Sequence, residues 1–467
     1  MNKTKELIGV DQALQLSPVQ VVENHKSYGN SGLASLLSLL GLDKKFVRAE
    51  GNYVWDDSGN KYIDFLAGYG SVSLGHNHPK IIDAIHKVDT LPNILQVSLP
   101  TMSGTLARNL AMITPGDLQR TFFGSSGTEA VEGALKLARA ATGKIEFIYA
   151  ENSFHGKTFG SLSVTGREKY QKTFAPLVPG ARQVPFGDTT ALEKALQSKN
   201  AAAFIVEPIQ GEGGVNVPPA GYLSEAKRLC ARYGALLIVD EIQTGLGRTG
   251  KMFACEYDNV APDVMCLAKS LGGGVMPIGA FITTDEIWQK AFGGPTKSTL
   301  HTSTFGGNTR ACAAGIASLQ VIVEEKLAEA AAEKGAYLMK KLADLQQKHD
   351  SVKEIRGKGL LVGLEFKEPT SGVLKALSFG VVNALSKEYL GAMVSGELAN
   401  KHHVITAYTL NNPNVIRLEP PLTIGTQDID YAVASLDEVL GRFKSIVSAA
   451  LSNVGAMAGS LLGRKKE

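Results

Sequence analysis

The sequence has little of what marks a disulfide-bonded, zinc-binding or nucleic-acid-binding protein. Its 467 residues include only four cysteines, which lie far apart and form no C-x-x-C pair. This spacing argues against a disulfide framework or a structural zinc site, and it predicts reduced thiols in a cytoplasmic protein. Neither sign of charge is in large excess, because the formal net charge is only +3. No nucleic-acid partner is therefore expected.

Long hydrophobic runs are missing as well. No segment of membrane-spanning length is free of polar residues, and residues 1–20 lack the apolar block of a signal peptide, so we expect no membrane span. Residues 445–467 are rich in small residues and end in basic ones. They predict a tail helix that is frayed or packed in a dimer, with peripheral membrane contact as the alternative.

What the sequence does contain is a series of short apolar runs separated by helical patterns. Strands that are apolar on both faces and alternate with helices predict a mostly parallel central sheet flanked by helices. The fold class is therefore α/β, and we expect a large domain at residues 75–324. The predicted strands lie at residues 120–123, 146–150, 202–208, 235–241, 263–268 and 278–284.

The flanking segments, residues 1–74 and 325–467, show a different pattern, and together they predict a smaller α+β domain packed on the large one. The first segment contains a predicted hairpin whose turn is made by residues 57–60. The predicted elements of the second are, in order, a long charged helix after Leu327, a strand at 359–366, a helix, a strand at 414–424 and a final helix capped by Thr426.

The stretch ALLIVDEIQTGLGRTGK, residues 235–251, contains the G-x-G-x-x-G pattern of nucleotide-binding loops. A dinucleotide site needs its first glycine at the end of the strand, but residues 240–244 separate the apolar run from Gly245. An ATP-binding P-loop needs Ser or Thr after its lysine, and Lys251 is followed by Met252. The glycines therefore predict a tight loop.

A carboxylate and a lysine follow two successive apolar runs. Asp240 ends the run LLIVD, and Lys269 follows VMCLA and precedes three glycines. Alone, Asp240 fits a helix cap or a loop salt bridge equally well. Together the two residues fit pyridoxal phosphate, which needs an amine for its Schiff base and a carboxylate to keep the pyridine nitrogen protonated. Burial lowers the pKa of a lysine and makes it a better nucleophile.

The same cofactor needs an anion site for its phosphate group. The stretch FFGSSGTEAVEGALKLA predicts a strand followed by a helix that begins near Gly127 and Thr128, after Ser126. Backbone N–H groups and the helix dipole at such a start bind phosphate. Alone, this pattern is only a good helix cap; with Asp240 and Lys269 it indicates a pyridoxal phosphate site.

Over about residues 46–434, the chain resembles the class III (ω-amino-group) aminotransferases, which are pyridoxal phosphate enzymes of fold type I. Within the family, GKMFACE, CLAKSLGGGVMPIGA and TLNNPNVIRLEPPLT look most like the putrescine (diamine) aminotransferases. The motifs that carry the resemblance are SSGTEAVEGALKLAR, SFHGKTFGSLSVTG, EPIQGEGG, VDEIQTGLGRTGK, LAKSLGGGVMPIGA, TSTFGGN and IRLEPPLTI.

The resemblance implies a role for each residue that binds the cofactor. Lys269 would form the Schiff base and later shuttle a proton between substrate and cofactor. Thr304 would reach the phosphate of the neighbouring subunit, which implies a homodimer and possibly a tetramer. The other implied contacts are Asp240 with the ring nitrogen, Gln243 with the ring hydroxyl, Phe154 with the ring face, and Ser126, Gly127 and Thr128 with the phosphate.

The resemblance also implies how substrates are held. Arg417 would clamp the carboxylate of the amino acceptor with its planar fork of donors. Glu212 would neutralise Arg417 when no carboxylate is bound. Two simpler interpretations stay open: Arg417 could form a surface ion pair, and His155 could merely pack beside the ring.

The predicted activity is transamination between an amine donor and a keto acid, by a ping-pong cycle of the pyridoxal and pyridoxamine forms. The expected donor is putrescine or a similar diamine, and the expected acceptor is 2-oxoglutarate or pyruvate. Rival donors are 4-aminobutyrate, ornithine, acetylornithine and an amine of a biosynthetic pathway. A same-fold aminomutase or decarboxylase, a nicotinamide-dependent oxidoreductase and a non-catalytic binding protein are the remaining alternatives.

One departure from the family pattern generates a prediction about the donor. Many members that use amino acids have arginine in the motif F-H-G-R, where it contacts a substrate carboxylate, but here residue 157 is lysine. Lysine cannot provide the same bidentate geometry. We therefore expect Lys157→Arg to shift the ratio of diamine to amino-acid kcat/KM towards amino acids by up to about tenfold, the value of one charge-assisted hydrogen bond. An unchanged ratio would contradict this explanation of selectivity.

Overall fold

The structure is a computed structural model, and it describes residues 7–95, 97–367 and 381–442. The tail helix predicted at 445–467 lies outside these residues. Within them, no helix is long and apolar enough to cross a membrane. The strands, in chain order, are β1 Phe46–Glu50, β2 Tyr53–Asp56, β3 Lys61–Asp64, β4 Leu118–Gly124, β5 Glu146–Ala150, β6 Ala181–Val184, β7 Ala201–Val206, β8 Leu236–Asp240, β9 Val264–Leu267, β10 Gly279–Thr284, β11 Val352–Lys358, β12 Leu361–Phe366, β13 Val404–Ile405, β14 Ala407–Tyr408 and β15 Val415–Leu418.

Helices connect most of these strands. Several of them begin where the sequence offers a capping side chain, as at Ser126, Asp188, Thr284 and Asn308. The α-helices with regular geometry are Val10–Leu14, Pro18–Tyr28, Ser31–Leu39, Pro79–His86, Thr101–Ile113, Gly127–Thr142, Phe159–Ser163, Glu168–Gln171, Thr189–Leu196, Tyr222–Tyr233, Asp285–Phe292, Thr309–Glu324, Leu327–Lys348, Val381–His402 and Thr426–Gly441.

A seven-stranded sheet in the order β4-β10-β9-β8-β7-β5-β6 forms the centre of the large part of the molecule. β10 is antiparallel to both of its neighbours, and the other pairs are parallel. The predicted mostly parallel α/β sheet is thereby confirmed, and each predicted apolar run forms one of its strands. The sequence analysis missed β6, because this edge strand (ARQV) is largely exposed and has no apolar run.

The two faces of the sheet are covered, as apolar strands of this kind require. Along β8, Leu237 and Val239 belong to one buried cluster, whereas Ile238 belongs to another on the opposite face. The helix Tyr222–Tyr233 packs on β8, and the helix Gly127–Thr142 packs on β9 and β10. The carboxyl ends of the parallel strands are thus held at one edge of a rigid layer.

Two smaller sheets are built from the ends of the chain. The first has the order β1-β2-β3-β13, and its parallel β3–β13 pair joins the N- and C-terminal segments. The second is the antiparallel sheet β11-β12-β15-β14. The predicted hairpin β2–β3 is confirmed, and Asp56 stabilises its turn by accepting hydrogen bonds from the N–H groups of Ser58 and Asn60. The domain boundaries at 74/75 and 324/325 remain a proposal.

The predicted start of the final helix was wrong by one residue. Gly425 is the N-cap, and Thr426 is already the first helical residue. Glycine is also acceptable at an N-cap, so the sequence did not distinguish the two positions. Asp428 lies in the first turn, as expected, but Asp430 does not and instead forms an ion pair with Lys341.

The glycine-rich stretch at 245–250 forms a series of tight turns, as predicted, and no α-helix follows it directly. Leu246, Gly247 and Gly250 all have positive φ angles, of 56°, 92° and 95°. The guanidinium of Arg248 points inward from this loop and is almost fully buried. The nucleotide-loop interpretation is therefore excluded by geometry, since no helix start faces a ligand here.

The close approach of β10 to the start of the helix Gly127–Thr142 generates a stability prediction. A Cβ atom at Gly279 would lie only 2.0 Å from the carbonyl oxygen of Ser126. We expect Gly279→Ala to lower the free energy of unfolding by about 1–3 kcal/mol, the usual cost of overpacking, and to lower the Tm. Gly104→Ala is the matched control, because a Cβ at this exposed helical position meets nothing within 4 Å. An equal Tm for the two variants would contradict the prediction.

Candidate active site

A cavity of about 550 Å³ opens at the carboxyl edge of the central sheet. Asp240 and Lys269 both line it, so the two residues that the sequence analysis paired do face one space. The other predicted cofactor residues that line this cavity are Ser126, Gly127, Thr128, Phe154 and Gln243.

Lys269 stands just beyond the end of β9 in an unusual backbone conformation. Its φ angle is +43°, in the left-handed region that residues other than glycine rarely adopt. Such strain is typical of functional sites, where surrounding structure holds a residue in place. Burial lowers the pKa of the Lys269 amine, and the nearby carboxylates of Glu419 and Glu212 only partly oppose this effect. The amine is therefore a better nucleophile than a surface lysine.

Asp240 ends β8 and is held by its neighbours. Its Oδ2 lies 2.7 Å from Nδ1 of His155, and its Oδ1 accepts the N–H of Ile242 at 3.1 Å. Both side chains of the Asp240–His155 pair are almost completely buried. His155 therefore does more than pack beside a ligand, because it fixes the orientation of the carboxylate. Asp240 neither caps a helix nor forms a surface salt bridge.

Glu207 is a buried carboxylate that the sequence analysis did not single out. It follows β7 and also lines the cavity, where it accepts hydrogen bonds from the N–H groups of Phe154 and Gly211. Burial raises the pKa of Glu207 to about 7, and the neighbouring Asp240 acts in the same direction. Its position after a buried strand, in FIVEP, is the same signal that identified Asp240.

The helix Gly127–Thr142 begins at the cavity wall. Ser126 caps it by accepting the N–H of Glu129, and the Thr128 hydroxyl lies 2.6 Å from that of Ser161. The first N–H groups of a helix have no acceptor within the helix, so they are available to an anion. A Cβ at Gly127 would be 2.9 Å from Cδ1 of Ile242, so a larger residue here would require the Ile242 side chain to shift. The donors and the space suit a phosphate group.

Arg417 and Glu212 form a buried ion pair that does not line this cavity but is close enough to Lys269 for both charges to act on its pKa. Nη2 of Arg417 lies 2.5 Å from Oε2 of Glu212, and both side chains are buried, so the surface ion pair considered for Arg417 is wrong. Burial alone would raise the pKa of Glu212, but the guanidinium of Arg417 lowers it. The ring centroid of Tyr69 lies 5.1 Å from the same guanidinium, and Glu419 lies 3.9 Å from its Nη1.

Tyr69 and Glu419 were also missed by the sequence analysis. Tyr69 lies between Gly68 and Gly70, and all three have positive φ angles. This run of glycines around an aromatic residue was the available signal. Glu419 is fully buried and accepts hydrogen bonds from Nε2 of Gln243 at 2.9 and 3.1 Å.

Two more residues that the sequence analysis singled out do not line the cavity. Thr304 is exposed and borders a separate cavity of about 370 Å³ with His301 and Asn308. Its predicted contact with a neighbouring phosphate needs a second copy of the chain and stays a prediction. Lys157 is exposed, with its Nζ 4.6 Å from the ring centroid of Tyr170, and it does not line the cavity.

The sequence matches the family described as Aminotransferase class-III over residues 42–440, most of the chain. The protein is a class III aminotransferase. Its fold is the pyridoxal-phosphate-dependent aminotransferase fold, with a central sheet between helices and smaller sheets beside it. The proposals of a nicotinamide-dependent oxidoreductase and of a non-catalytic binding protein are set aside.

Solved structures of other aminotransferases are similar to it along most of their length. The ornithine aminotransferase from Toxoplasma gondii ME49 is 33% identical, with a TM-score of 0.82 over 93% of this chain and 98% of that one. The acetylornithine aminotransferase from Elizabethkingia anophelis is 32% identical, with a TM-score of 0.75 over 91% and 98%. A PLP-bound amine transaminase from an uncultivated Pseudomonas species is 30% identical, with a TM-score of 0.76 over 85% and 95%.

Pyridoxal phosphate is the cofactor of this aminotransferase, and the donor set of the cavity fits it. A buried amine, a buried carboxylate held by histidine, and a helix start with a close glycine match its aldehyde, ring nitrogen and phosphate. The orphaned Nε2 of His155, which has no partner in the part of the chain that the structure describes, leaves one more polar atom beside this space.

The position of Lys269 generates a labelling prediction. Borohydride treatment of the holoenzyme should attach the cofactor covalently to Lys269, and the label should be lost in Lys269→Ala together with at least about 10³-fold in kcat, as when a catalytic nucleophile is removed. Peptide mapping by mass spectrometry locates the label. Lys251→Ala, at an exposed lysine, is the control and should keep it. A label on another lysine in the wild type would contradict the assignment.

Proposed function

We propose that this aminotransferase takes a terminal amino group from a diamine such as putrescine and transfers it to a keto acid such as 2-oxoglutarate or pyruvate. The observation that carries the proposal is the buried Glu212–Arg417 pair, whose two charges both act on the pKa of Lys269. This pair would be closed for a donor without a carboxylate and open for a carboxylate-bearing acceptor.

The roles proposed for the cavity residues follow from their chemistry. Pyridoxal phosphate, when bound, supplies an aldehyde that condenses with primary amines and a ring that withdraws electrons from the attached carbon. Lys269 holds the cofactor and then, with its lowered pKa, removes and returns a proton at the substrate carbon. Asp240, oriented by His155, keeps the ring nitrogen protonated, and the N–H groups of Gly127 and Thr128 bind the phosphate.

The geometry of the guanidinium supports a switch at Arg417. Arginine binds a carboxylate with two parallel hydrogen bonds through either its Nε–Nη2 edge or its Nη1–Nη2 edge. Nη2 has two N–H groups, one on each edge, and it contacts Oε2 of Glu212 at 2.5 Å and the carbonyl oxygen of Tyr408 at 3.4 Å. A keto acid that binds across the edge held by Glu212 would have to displace this carboxylate. A diamine would leave the pair in place, with the charge of Arg417 already neutralised. One pocket can thus serve both half-reactions.

A second candidate donor is ornithine or acetylornithine, which the similar structures favour by name. Both compounds also react at a terminal amine, so the same switch at Arg417 would serve them. They differ from a diamine in their α-carboxylate, which needs a cation of its own. Many amino-acid users have arginine at the position of Lys157, and this difference in sequence supports the diamine, although Lys157 is exposed and does not line the cavity.

The quaternary state and location belong to the same proposal. The exposed Thr304, at a cavity apart from its own chain's site, supports a homodimer in which it contacts the neighbouring phosphate. The four cysteines are free and buried, which supports a reducing compartment such as the cytoplasm.

A half-reaction screen tests the donor. The holoenzyme is mixed with putrescine, cadaverine, ornithine, acetylornithine or 4-aminobutyrate without a keto acid, and the loss of the visible absorption of the cofactor is followed by stopped flow. We expect the diamines to react at least about tenfold faster than the amino acids, a difference of about 1.4 kcal/mol in the barrier. Fast reaction with ornithine or 4-aminobutyrate but not with the diamines would overturn the donor and leave the transaminase assignment intact.

A further inference from the structure

Glu419 is a buried carboxylate to which neither the sequence analysis nor the proposed reaction gives a role. Its side chain is fully buried, and its backbone N–H donates to the carbonyl of Phe65 at 2.8 Å. The loop that carries Tyr69 closes over it, because a Cβ at Gly70 would be only 2.3 Å from its Oε1. A carboxylate in such a place is costly unless specific donors compensate it.

Two guanidinium groups and one amide group lie around the carboxylate of Glu419. Nε of Arg248 and Nη1 of Arg417 each lie 3.9 Å from a carboxylate oxygen, too far for hydrogen bonds. Burial raises the pKa of Glu419, and these two cations and Lys269 oppose that rise. The hydrogen bonds come from Nε2 of Gln243, at 3.1 Å to Oε1 and 2.9 Å to Oε2. Glu419 is thus held mainly by the side chain that is proposed to contact the cofactor ring.

This contact decides which way the Gln243 amide is turned. A carboxylate only accepts hydrogen bonds, so it faces the NH₂ group of Gln243 and excludes the flipped orientation. The carbonyl oxygen of Tyr69, 3.4 Å from the same nitrogen, is a further acceptor on that side. The Gln243 oxygen lies on the other side, where a Cβ at Gly211 would be 1.8 Å from it.

We propose that Glu419 is a positioning residue that binds the amide nitrogen of Gln243, so that Gln243 presents its oxygen, a hydrogen-bond acceptor, to the cofactor ring. An acceptor at this place favours the protonated form of the ring hydroxyl, whereas an amide donor would favour the ionised form. Glu419 would in this way influence the electronic state of the cofactor without touching it. The inference rests on the proposed placement of the ring beside Gln243 and is independent of the donor.

The test compares two replacements of Glu419 in the full-length holoenzyme without substrate. Glu419→Gln keeps an oxygen that can accept from Gln243 but removes the charge, and Glu419→Leu removes both. We expect Glu419→Leu to shift the visible absorption maximum of bound pyridoxal phosphate and to speed its release on dilution by about tenfold or more. Glu419→Gln should keep the wild-type maximum and release the cofactor within about threefold of the wild-type rate.

Gln243→Leu and the double variant Glu419→Leu/Gln243→Leu complete a cycle. If Glu419 acts through Gln243, the double variant should have the spectrum and release rate of Gln243→Leu alone. Additive effects, or a Glu419→Gln variant as altered as Glu419→Leu, would overturn the proposal and assign Glu419 to charge balance with the arginines. If Glu419→Leu is insoluble, the spectrum of Glu419→Gln decides between positioning through Gln243 and charge balance with the arginines.

The same variants distinguish a failure of this inference from a failure of the proposed function. A Gln243→Leu variant with an unaltered spectrum and release rate would show that the ring does not lie beside Gln243, and would overturn the inference. Failure of the proposed function would appear instead in the amine screen of the wild-type enzyme.

Discussion

The register between two neighbouring parallel strands is the constraint on which the site depends. Asp240 ends β8 opposite Cys266 of β9, and Lys269 stands just beyond the end of β9. Because parallel strands end at one edge of the sheet, both side chains enter the cavity from adjacent positions. A slip of one residue in either strand would turn its side chains to the opposite face. The strands resist such a slip because they are buried on both faces.

The cost of burying charge explains why the site is a network and not a set of separate residues. Removing an ion from water costs several kcal/mol, and pairing only repays this when the geometry is good. Arg417 lies between Glu212 and Glu419, and the negative charges of the same two carboxylates raise the pKa of Lys269 against the effect of burial. Loss of one member therefore leaves another charge uncompensated, so each side chain helps to hold the next in position.

Much of the fold and of the cofactor site could be predicted from the sequence, for physical reasons. Asp240 and Lys269 follow strands whose continuous apolar runs are visible without a structure, and the helix start at Gly127 carries a capping serine. Glu419 and Tyr69 could not be predicted in the same way. They meet only because the chain near Phe65 hydrogen-bonds to the strand end after β15, a contact between segments far apart in the sequence. Such a contact depends on packing and leaves no local pattern.

The same distinction explains the errors in detail. Gln243 was expected to hydrogen-bond the ring hydroxyl, and that stays a prediction. The sequence did not reveal that its Nε2 also donates to Glu419, because no local motif connects the two residues. The cap of the last helix was misplaced because Gly425 and Thr426 are both acceptable at that position. Local propensity fixes where an element begins to within a residue or two, whereas the partners of its side chains depend on the tertiary fold.

In the proposed reaction, the two carboxylates beside Arg417 would have different tasks. Oε2 of Glu212 lies 2.5 Å from Nη2 of Arg417 and also accepts the N–H of Leu410 at 2.9 Å. Glu419 lies 3.9 Å from Nη1, is fully enclosed and is held by Gln243. If Glu212 moved aside for the acceptor, as proposed, Glu419 would still offset part of the charge of Arg417, and no isolated buried cation would be left. A switch built on one carboxylate would bear that full desolvation cost at each turnover.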